Sequence, residues 1–277
     1  MIPAAFDYQR ASSVDEAVGL LSEHGDDAKL IAGGHSLLPL MKLRLAAPAV
    51  LIDIGRLEDL SYVRSEDGQV RIGALCRHHD LATSDELREQ APLLAHIAGQ
   101  IGDPQVRHRG TIGGSIAHGD PASDLPPALL ALRGTLVARG PGGEREIPAD
   151  EMFTGFLETA LAPDDVLTEI RVPAVGSARW GFQKFVRRAQ DWAIVGCAAV
   201  LTNGGSGGPG VGLVNMGPTP LRAAGVEEAL RSGASPGDAA ARADEGTEPT
   251  DDLNASAEYR RHLAQVLVRR ALESAGG

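Results

Sequence analysis

The chain has 277 residues, 43% of them hydrophobic, enough for a substantial buried core and for two or three domains of ordinary size. Its formal net charge of −11 argues against nucleic acid as a partner, because a phosphate backbone demands a basic footprint. Two cysteines, Cys76 and Cys197, cannot ligate an iron–sulfur cluster, which takes four thiolates, and are expected to be buried thiols rather than a disulfide.

The opening Met1–Asp7 segment lacks the basic region and apolar core of a signal peptide. No apolar run reaches the ~18–20 residues of a membrane span, and the expected location is the cytoplasm. Ser13 and Glu16 fit a capping box, followed by Val14, Ala17, Val18 and Leu21 at helical spacing up to Gly25. Lys29-Leu30-Ile31 reads as a buried strand that delivers Ala32-Gly33-Gly34-His35-Ser36. Ser36 is expected to cap a helix over Leu37–Leu45, and Val50–Ile54 is a further strand. The unit resembles a dinucleotide site in outline only, since it has neither G-x-G-x-x-G nor a Walker-type G-K-[ST].

Leu60–Leu75 suits two strands around the polar turn Glu66-Asp67-Gly68. His78 and His79 open a short polar helix and are expected at the surface, since adjacent helical histidines diverge and make a poor metal pair. A longer helix follows over Ala91–Ile101, and Gln105–Arg109 is expected to run extended into a second glycine pair, Thr111-Ile112-Gly113-Gly114-Ser115. Asp124 precedes Leu125-Pro126-Pro127 as an acid at a helix cap with proline in the first turn. Thr135–Ala138 and Arg145–Ile147 suit a hairpin, and Val166–Val172 alternates like a half-exposed strand.

Beyond a boundary at Ala174–Ala178, Trp180–Val186, Trp192–Leu201 and Val211–Met216 read as strands, with a glycine-rich loop at Asn203–Gly210. Residues 232–255 suggest a short helix amid loop. Ser256 to about Ser274 is a strong helix with Tyr259, Leu263, Val266, Leu267 and Ala271 on one face. Strands and helices in this order indicate an α+β architecture.

The two glycine pairs carry the chemistry. Successive backbone N–H groups in a glycine turn form a concavity suited to an anion. Two such segments, each leaving a strand and ending in serine, suggest two cradles for one extended diphosphate; ordinary tight turns account for them as well. His35 and His118, beside the pairs, are placed to donate to phosphate oxygen or to bond the backbone. Asp120 and Asp124 invite an acid–base pair, yet Pro121 separates them and Asp124 also suits a cap or a ribose-hydroxyl acceptor. No nucleophile elbow and no cysteine with an obvious base is present, so a bound cofactor is the expected agent of any chemistry.

Ala32–Ser36, Thr111–Ser115 and the following Asp-Pro-x-x-Asp-Leu-Pro at 120–126 resemble the FAD-binding medium subunits of the molybdenum hydroxylases, those of carbon monoxide dehydrogenases above all. The likeness extends through Met1-Ile2-Pro3, Phe6-Asp7-Tyr8, Asp103-Pro104-Gln105, Glu258-Tyr259-Arg260 and Leu267–Ala271, and so spans the chain. It implies a two-lobed FAD-binding domain of the vanillyl-alcohol-oxidase (PCMH) type, with lobes at 1–55 and 56–176. A small α+β C-terminal domain, a sheet packed with helices, would occupy 177–277.

By position it places the FAD diphosphate between Ala32, Gly33, Gly34, His35, Ser36 and Thr111, Ile112, Gly113, Gly114, Ser115. It places Asp124 at the ribityl or ribose hydroxyls, Leu167 beside the cofactor, Lys184 near the flavin ring, and Trp192 where relatives carry tyrosine or phenylalanine against the ring. Ser115 stands where many relatives have asparagine. The resemblance further implies a molybdopterin large subunit and a small subunit with two [2Fe–2S] clusters, in a dimer of heterotrimers. Electrons would pass through FAD to a quinone or another acceptor, and the complex would lie at most peripherally on the inner face of the cytoplasmic membrane. A stand-alone FAD oxidoreductase of the same fold, a medium subunit of a hydroxylase acting on a purine, an N-heterocycle or an aromatic thioester, and a scaffold that has lost its flavin are the rivals.

Overall fold

Three short strands, β1 (Asp7–Arg10), β2 (Ala28–Ile31) and β3 (Val50–Asp53), form a parallel sheet in the order β1-β3-β2. They belong to a computed structural model that describes residues 2–202 and 207–276. The central strand, with Val50, Leu51 and Ile52 buried, is covered by the helix Val14–His24 through Ala17, Val18 and Leu21. Ser13 Oγ accepts from Glu16 N at 3.1 Å as expected, while the Glu16 carboxylate takes the N–H of Ser12, one residue early, at 2.7 Å. Between β2 and β3 lies the helix Leu37–Leu43, ended by Arg44 at φ 60°. Ser36 does not cap it: its own backbone is already helical and its hydroxyl accepts no cap hydrogen bond.

The second sheet is antiparallel. Strands β4 (Val63–Glu66), β5 (Gln69–Gly73), β6 (Thr135–Gly140), β7 (Gly143–Pro148) and β8 (Val166–Pro173) stand in the order β4-β5-β8-β6-β7. Asp67 and Gly68 both adopt positive φ, the geometry of a tight hairpin turn. β8 is the middle strand and is buried from Val166 to Ile170, not half-exposed. Its pairing with β6 shifts register between Leu167 and Glu169, a β-bulge. Leu167 and Ile170 therefore share one core cluster although they are three residues apart, which strict alternation forbids.

Short helices fill the connection from β5 to β6. Pro104–Arg107 is a helical turn rather than an extended lead, because Asp103 Oδ1 accepts from Val106 N at 2.8 Å and Pro104 occupies the first position. Gly113 and Gly114 lie inside the helix Ile112–His118, not in a loop turn.

The third sheet, β9 (Arg179–Phe185), β10 (Val195–Leu201), β11 (Gly210–Val214) and β12 (Leu221–Arg222), is antiparallel in sequence order. Of the expected 203–210 loop, residues 203–206 lie outside the described residues. Helix Ala257–Gly276 covers one face; its buried stripe is Arg260, Leu263, Ala264, Leu267, Val268 and Ala271, with Val266 half-buried and Tyr259 exposed. A Cβ on Gly181 would lie 2.1 Å from the Ala271 carbonyl oxygen, so the helix rests directly on the strand.

The opposite face takes the helix Leu125–Ala131 of the preceding segment. Cβ atoms on Gly210 and Gly212 would lie 1.9 and 2.0 Å from the carbonyls of Ala131 and Pro127. This contact sets Asp124, at the start of that helix, against β9. The amphipathic helix Ala224–Arg231, absent from the expected elements, and the short helix Pro236–Ala240 complete the domain.

Candidate functional site

A cleft of about 620 Å³ opens between the first glycine segment, residues 110–118, the bulge of β8 and the edge of the third sheet. Ala32, Gly33, Gly34, His35, Ser36, Thr111, Gly113, Gly114, Ser115, Asp124, Leu167, Lys184 and Trp192 all line it. Ile112 does not: its side chain is fully buried in the core beneath.

The two glycine pairs are not matched in structure. In the first, Gly34 holds φ at +74°, and the N–H groups of Gly33, Gly34, His35, Ser36 and Leu37 take no acceptor from the described residues. Such a run of unpaired N–H groups in a turn is a nest for an anion. In the second, Ile112 N donates to Cys76 O at 3.0 Å, Gly113 N to Ala74 O at 2.9 Å, Gly114 N to Thr111 Oγ1 at 3.1 Å and Ser115 N to Thr111 O at 3.0 Å. Of that segment only the Thr111 N–H takes no acceptor from the described residues, so the two segments are not the equivalent cradles expected.

Gly113 is bare because Ala74 is in the way, its Cβ 2.6 Å from where a side chain would begin. Gly33 is bare for a similar reason: a Cβ would lie 2.1 Å from the Arg109 carbonyl oxygen. The two segments thus touch backbone to backbone and wall one cleft. Only Gly114 of the second pair is exposed towards the opening.

Across the cleft, Lys184 Nζ meets Asp124 Oδ2 at 2.6 Å, with side-chain exposures of 12% and 6%. Asp124 does not cap its helix, as its backbone is helical and this ion pair engages its carboxylate. Burial pushes its carboxyl pKa up, with Lys184 pulling against that. Asp124 Oδ1 is buried and takes no hydrogen bond from the described residues, an acceptor without a donor at the wall of the cleft. Asp120 is no partner to it: its carboxylate accepts from Ala122 N at 2.8 Å in a local turn.

His78 is the residue that sequence pattern missed. It is 5% exposed, lines the cleft, and packs on Gly110, where a Cβ would lie 2.8 Å from its ring. Burial, with the charges of His35 and Arg107, lowers its pKa to about 4, so it is neutral at pH 7, and its Nδ1 has no partner. A polar residue opening a short helix carries no sequence signal of burial. His79 is half-buried and pairs its ring with His108 at 4.0 Å, while His35 is exposed and His118 half-buried on the cleft wall. Gln190 and Asp191 join Trp192, itself 62% exposed, at the opening. Cys76 and Cys197 are buried and do not line the cleft, their thiol pKa values raised by desolvation to about 11 and about 12.

The residues suit a flavin dinucleotide. The volume lies within the ~300–1,000 Å³ of cofactor sites. One end offers five unpaired N–H groups for a diphosphate, the middle an unpartnered carboxylate oxygen for a hydroxyl, and Leu167, Ile54 and Trp192 provide apolar surface for a ring. Fold and cleft together define a flavin-binding domain followed by a helix-backed sheet.

Comparison with known proteins agrees. Residues 4–175 match the FAD-binding domain in molybdopterin dehydrogenase, and residues 180–275 the C-terminal domain of carbon monoxide dehydrogenase flavoproteins. The chain is 44% identical to the carbon monoxide dehydrogenase medium chain of Hydrogenophaga pseudoflava, covering 99% of this chain and 98% of that one. It is 39% identical to the 6-hydroxypseudooxynicotine dehydrogenase complex subunit alpha of Paenarthrobacter nicotinovorans, covering 99% and 96%.

The solved carbon monoxide dehydrogenase from Hydrogenophaga pseudoflava, a form lacking the Mo-pyranopterin moiety of its molybdenum cofactor, superposes with a TM-score of 0.96 at 45% identity, covering 100% of this chain and 99% of that one. The chain belongs to the FAD-binding medium-subunit family of the molybdenum hydroxylases. It is an oxidoreductase subunit, and FAD is its cofactor.

Proposed function

We propose that this chain holds FAD along the cleft as the electron-transfer subunit of a carbon monoxide dehydrogenase. A molybdopterin large subunit would convert CO and water to CO2, two electrons and two protons, and an iron–sulfur small subunit with two [2Fe–2S] clusters would pass the electrons on. FAD, when bound, supplies a centre that takes electrons singly and delivers them to an external acceptor such as a quinone. No side chain here need act as acid or base. The chain's residues bind, orient and cover.

The unpaired N–H groups from Gly33 to Leu37 hold the diphosphate, and this single observation carries the reading. Thr111, Gly114 and Ser115 form the facing wall, with Gly113 and Ile112 seating it on the core. Asp124 accepts a hydroxyl of the cofactor through Oδ1, and Lys184 opposes the burial that raises its pKa. Leu167 and Trp192 lie against the ring.

The two lobes at 1–55 and 56–176 and the C-terminal domain at 177–277 form one flavin module within a dimer of heterotrimers. No helix among the described residues is long and apolar enough to cross a membrane. Any association with the cytoplasmic face of the membrane is proposed to be peripheral and through the complex.

The choice of CO rests on the 44% identity to one relative, while a relative at 39% belongs to a 6-hydroxypseudooxynicotine dehydrogenase. Substrate is recognised on the large subunit. The test is anaerobic addition of CO, an N-heterocycle or an aldehyde to the purified complex while flavin absorbance is followed. Bleaching by CO alone supports the proposal. Bleaching only by the heterocycle or aldehyde assigns the complex to another hydroxylase, and a chain that turns over substrate without partners makes it a stand-alone oxidoreductase.

A further inference from the structure

Trp192 reaches the cleft on residues 186–194, the loop that joins β9 to β10. With 62% of its surface exposed, the indole is not held there by its own packing. The backbone just after it is held instead. Ile194 N donates to Phe185 O at 2.9 Å and closes the base of the hairpin. Asn215, at φ 60°, donates its amide to the carbonyls of Ala193 at 3.0 Å and Ile194 at 3.3 Å. Arg260 reaches up from the C-terminal helix and donates to Ile194 O, while its second nitrogen meets Asp252 Oδ2 at 2.7 Å.

Arg260 is 1% exposed and its Nε has no acceptor among the described residues. Burying a cation with an unpaired N–H is costly, and a methionine or leucine would fill the seam between helix and sheet without that cost. What the guanidinium does that an apolar side chain cannot is grip the carbonyl two residues beyond Trp192. Asn215 does the same from the end of β11, where its backbone conformation suits asparagine or glycine.

We propose that Arg260 and Asn215 are positioning residues that clamp the Ala193–Ile194 backbone so that Trp192 is presented to the cleft. Through it they set how far the bound flavin is covered from solvent-borne acceptors. This rests on the reading that FAD occupies the cleft. The loss of one hydrogen bond of this kind shifts the held-to-released ratio of the loop on the order of tenfold. The Arg260–Asp252 pair also ties the helix to the 251–255 loop, so a purely structural role must be separated from the clamp.

The experiment uses the assembled complex and compares Asn215→Gly, Arg260→Met, Arg260→Lys and Trp192→Ala, with the double variant Asn215→Gly/Trp192→Ala. Flavin content, visible circular dichroism and the rate at which a soluble one-electron dye oxidises the reduced flavin are read. Asn215→Gly keeps the backbone conformation and removes only the donor, so it serves even if Arg260→Met fails to fold. The clamp predicts that Asn215→Gly raises the dye rate by up to about tenfold and that Trp192→Ala raises it at least as much. It also predicts that the double variant adds nothing further and that Arg260→Lys recovers most of the wild-type behaviour. An unchanged rate and spectrum in Asn215→Gly at full flavin content overturns the clamp, as does an effect of equal size in the Trp192→Ala background. A wild-type complex without flavin overturns the cofactor reading instead.

Discussion

Replacing Lys184 by methionine removes the ammonium 2.6 Å from Asp124 and leaves a carboxylate whose side chain is 6% exposed without its charge partner. Breaking a buried pair in this way typically costs about 3–5 kcal/mol. Here protonation caps the loss. At pH 7, neutralising a carboxyl of ordinary pKa 3.8 costs about 1.36 kcal/mol for each of some three units, or about 4 kcal/mol. Burial already raises the Asp124 pKa, which lowers that ceiling.

The expected destabilisation is therefore about 3 kcal/mol at pH 7. Its pH dependence is the signature. A carboxyl whose folded pKa is raised disfavours the folded state at high pH and ceases to do so as pH falls and it protonates, so the penalty should shrink to about 1 kcal/mol near pH 4.5. Urea unfolding of the full chain and the variant at matched pH values gives the difference, from which other titrating groups cancel. Lys184→Met/Asp124→Asn should return to within about 1 kcal/mol of wild type, since no charge is then stranded. A single variant within ~0.5 kcal/mol of wild type at pH 7, or one whose penalty is flat with pH, refutes the reasoning.

Gly33→Ala should lose flavin and about 1–3 kcal/mol of stability by cofactor assay and denaturation, because its Cβ lands 2.1 Å from a carbonyl oxygen. Gly114→Ala, which meets only Thr111 Oγ1 at 2.9 Å, should be milder, and equal losses for the two would contradict the packing account. His78, with its pKa lowered from 6.5 to about 4, contributes stability that is full above pH 6.5 and lost as pH falls towards 4. His78→Phe should flatten that fall by about 3 kcal/mol in a pH series of urea melts, and an unchanged slope would show that His78 is not the titrating group. Cys76 and Cys197, buried with raised pKa values, should resist alkylation at pH 8 in the folded chain and react on unfolding; rapid native labelling would place a thiol at the surface.

Much of this was legible in the residues. The glycine segments announce themselves because backbone contact excludes every other residue type, and the cleft collects almost all the positions singled out. The difference between the two segments was only partly legible: Thr111 spends the Gly114 N–H as a local helix cap, but the Ile112 and Gly113 N–H groups are spent on Cys76 and Ala74, which no local pattern connects to them. Val166–Val172 alternates like an exposed strand only because the bulge at 167–169 breaks the parity of the core face. His78 and Arg260 are polar residues at helix starts, where solvent is the ordinary surrounding, and tertiary packing alone buries them. Asp124 sits before a helix with every mark of a cap, yet the glycines of β11 draw that helix onto the third sheet and hand its carboxylate to Lys184.

The most direct test is to release and identify the cofactor of the purified complex, in wild type and in Gly34→Val. Gly34 sits at φ +74° in the middle of the unpaired N–H run, with Leu38 2.9 Å from any added Cβ, so the substitution deforms the nest itself. The account predicts one FAD per chain in the wild type and a complex that still assembles but has lost its flavin in the variant. Full FAD content in an assembled Gly34→Val complex, or a wild-type complex with no FAD on this chain, would contradict it.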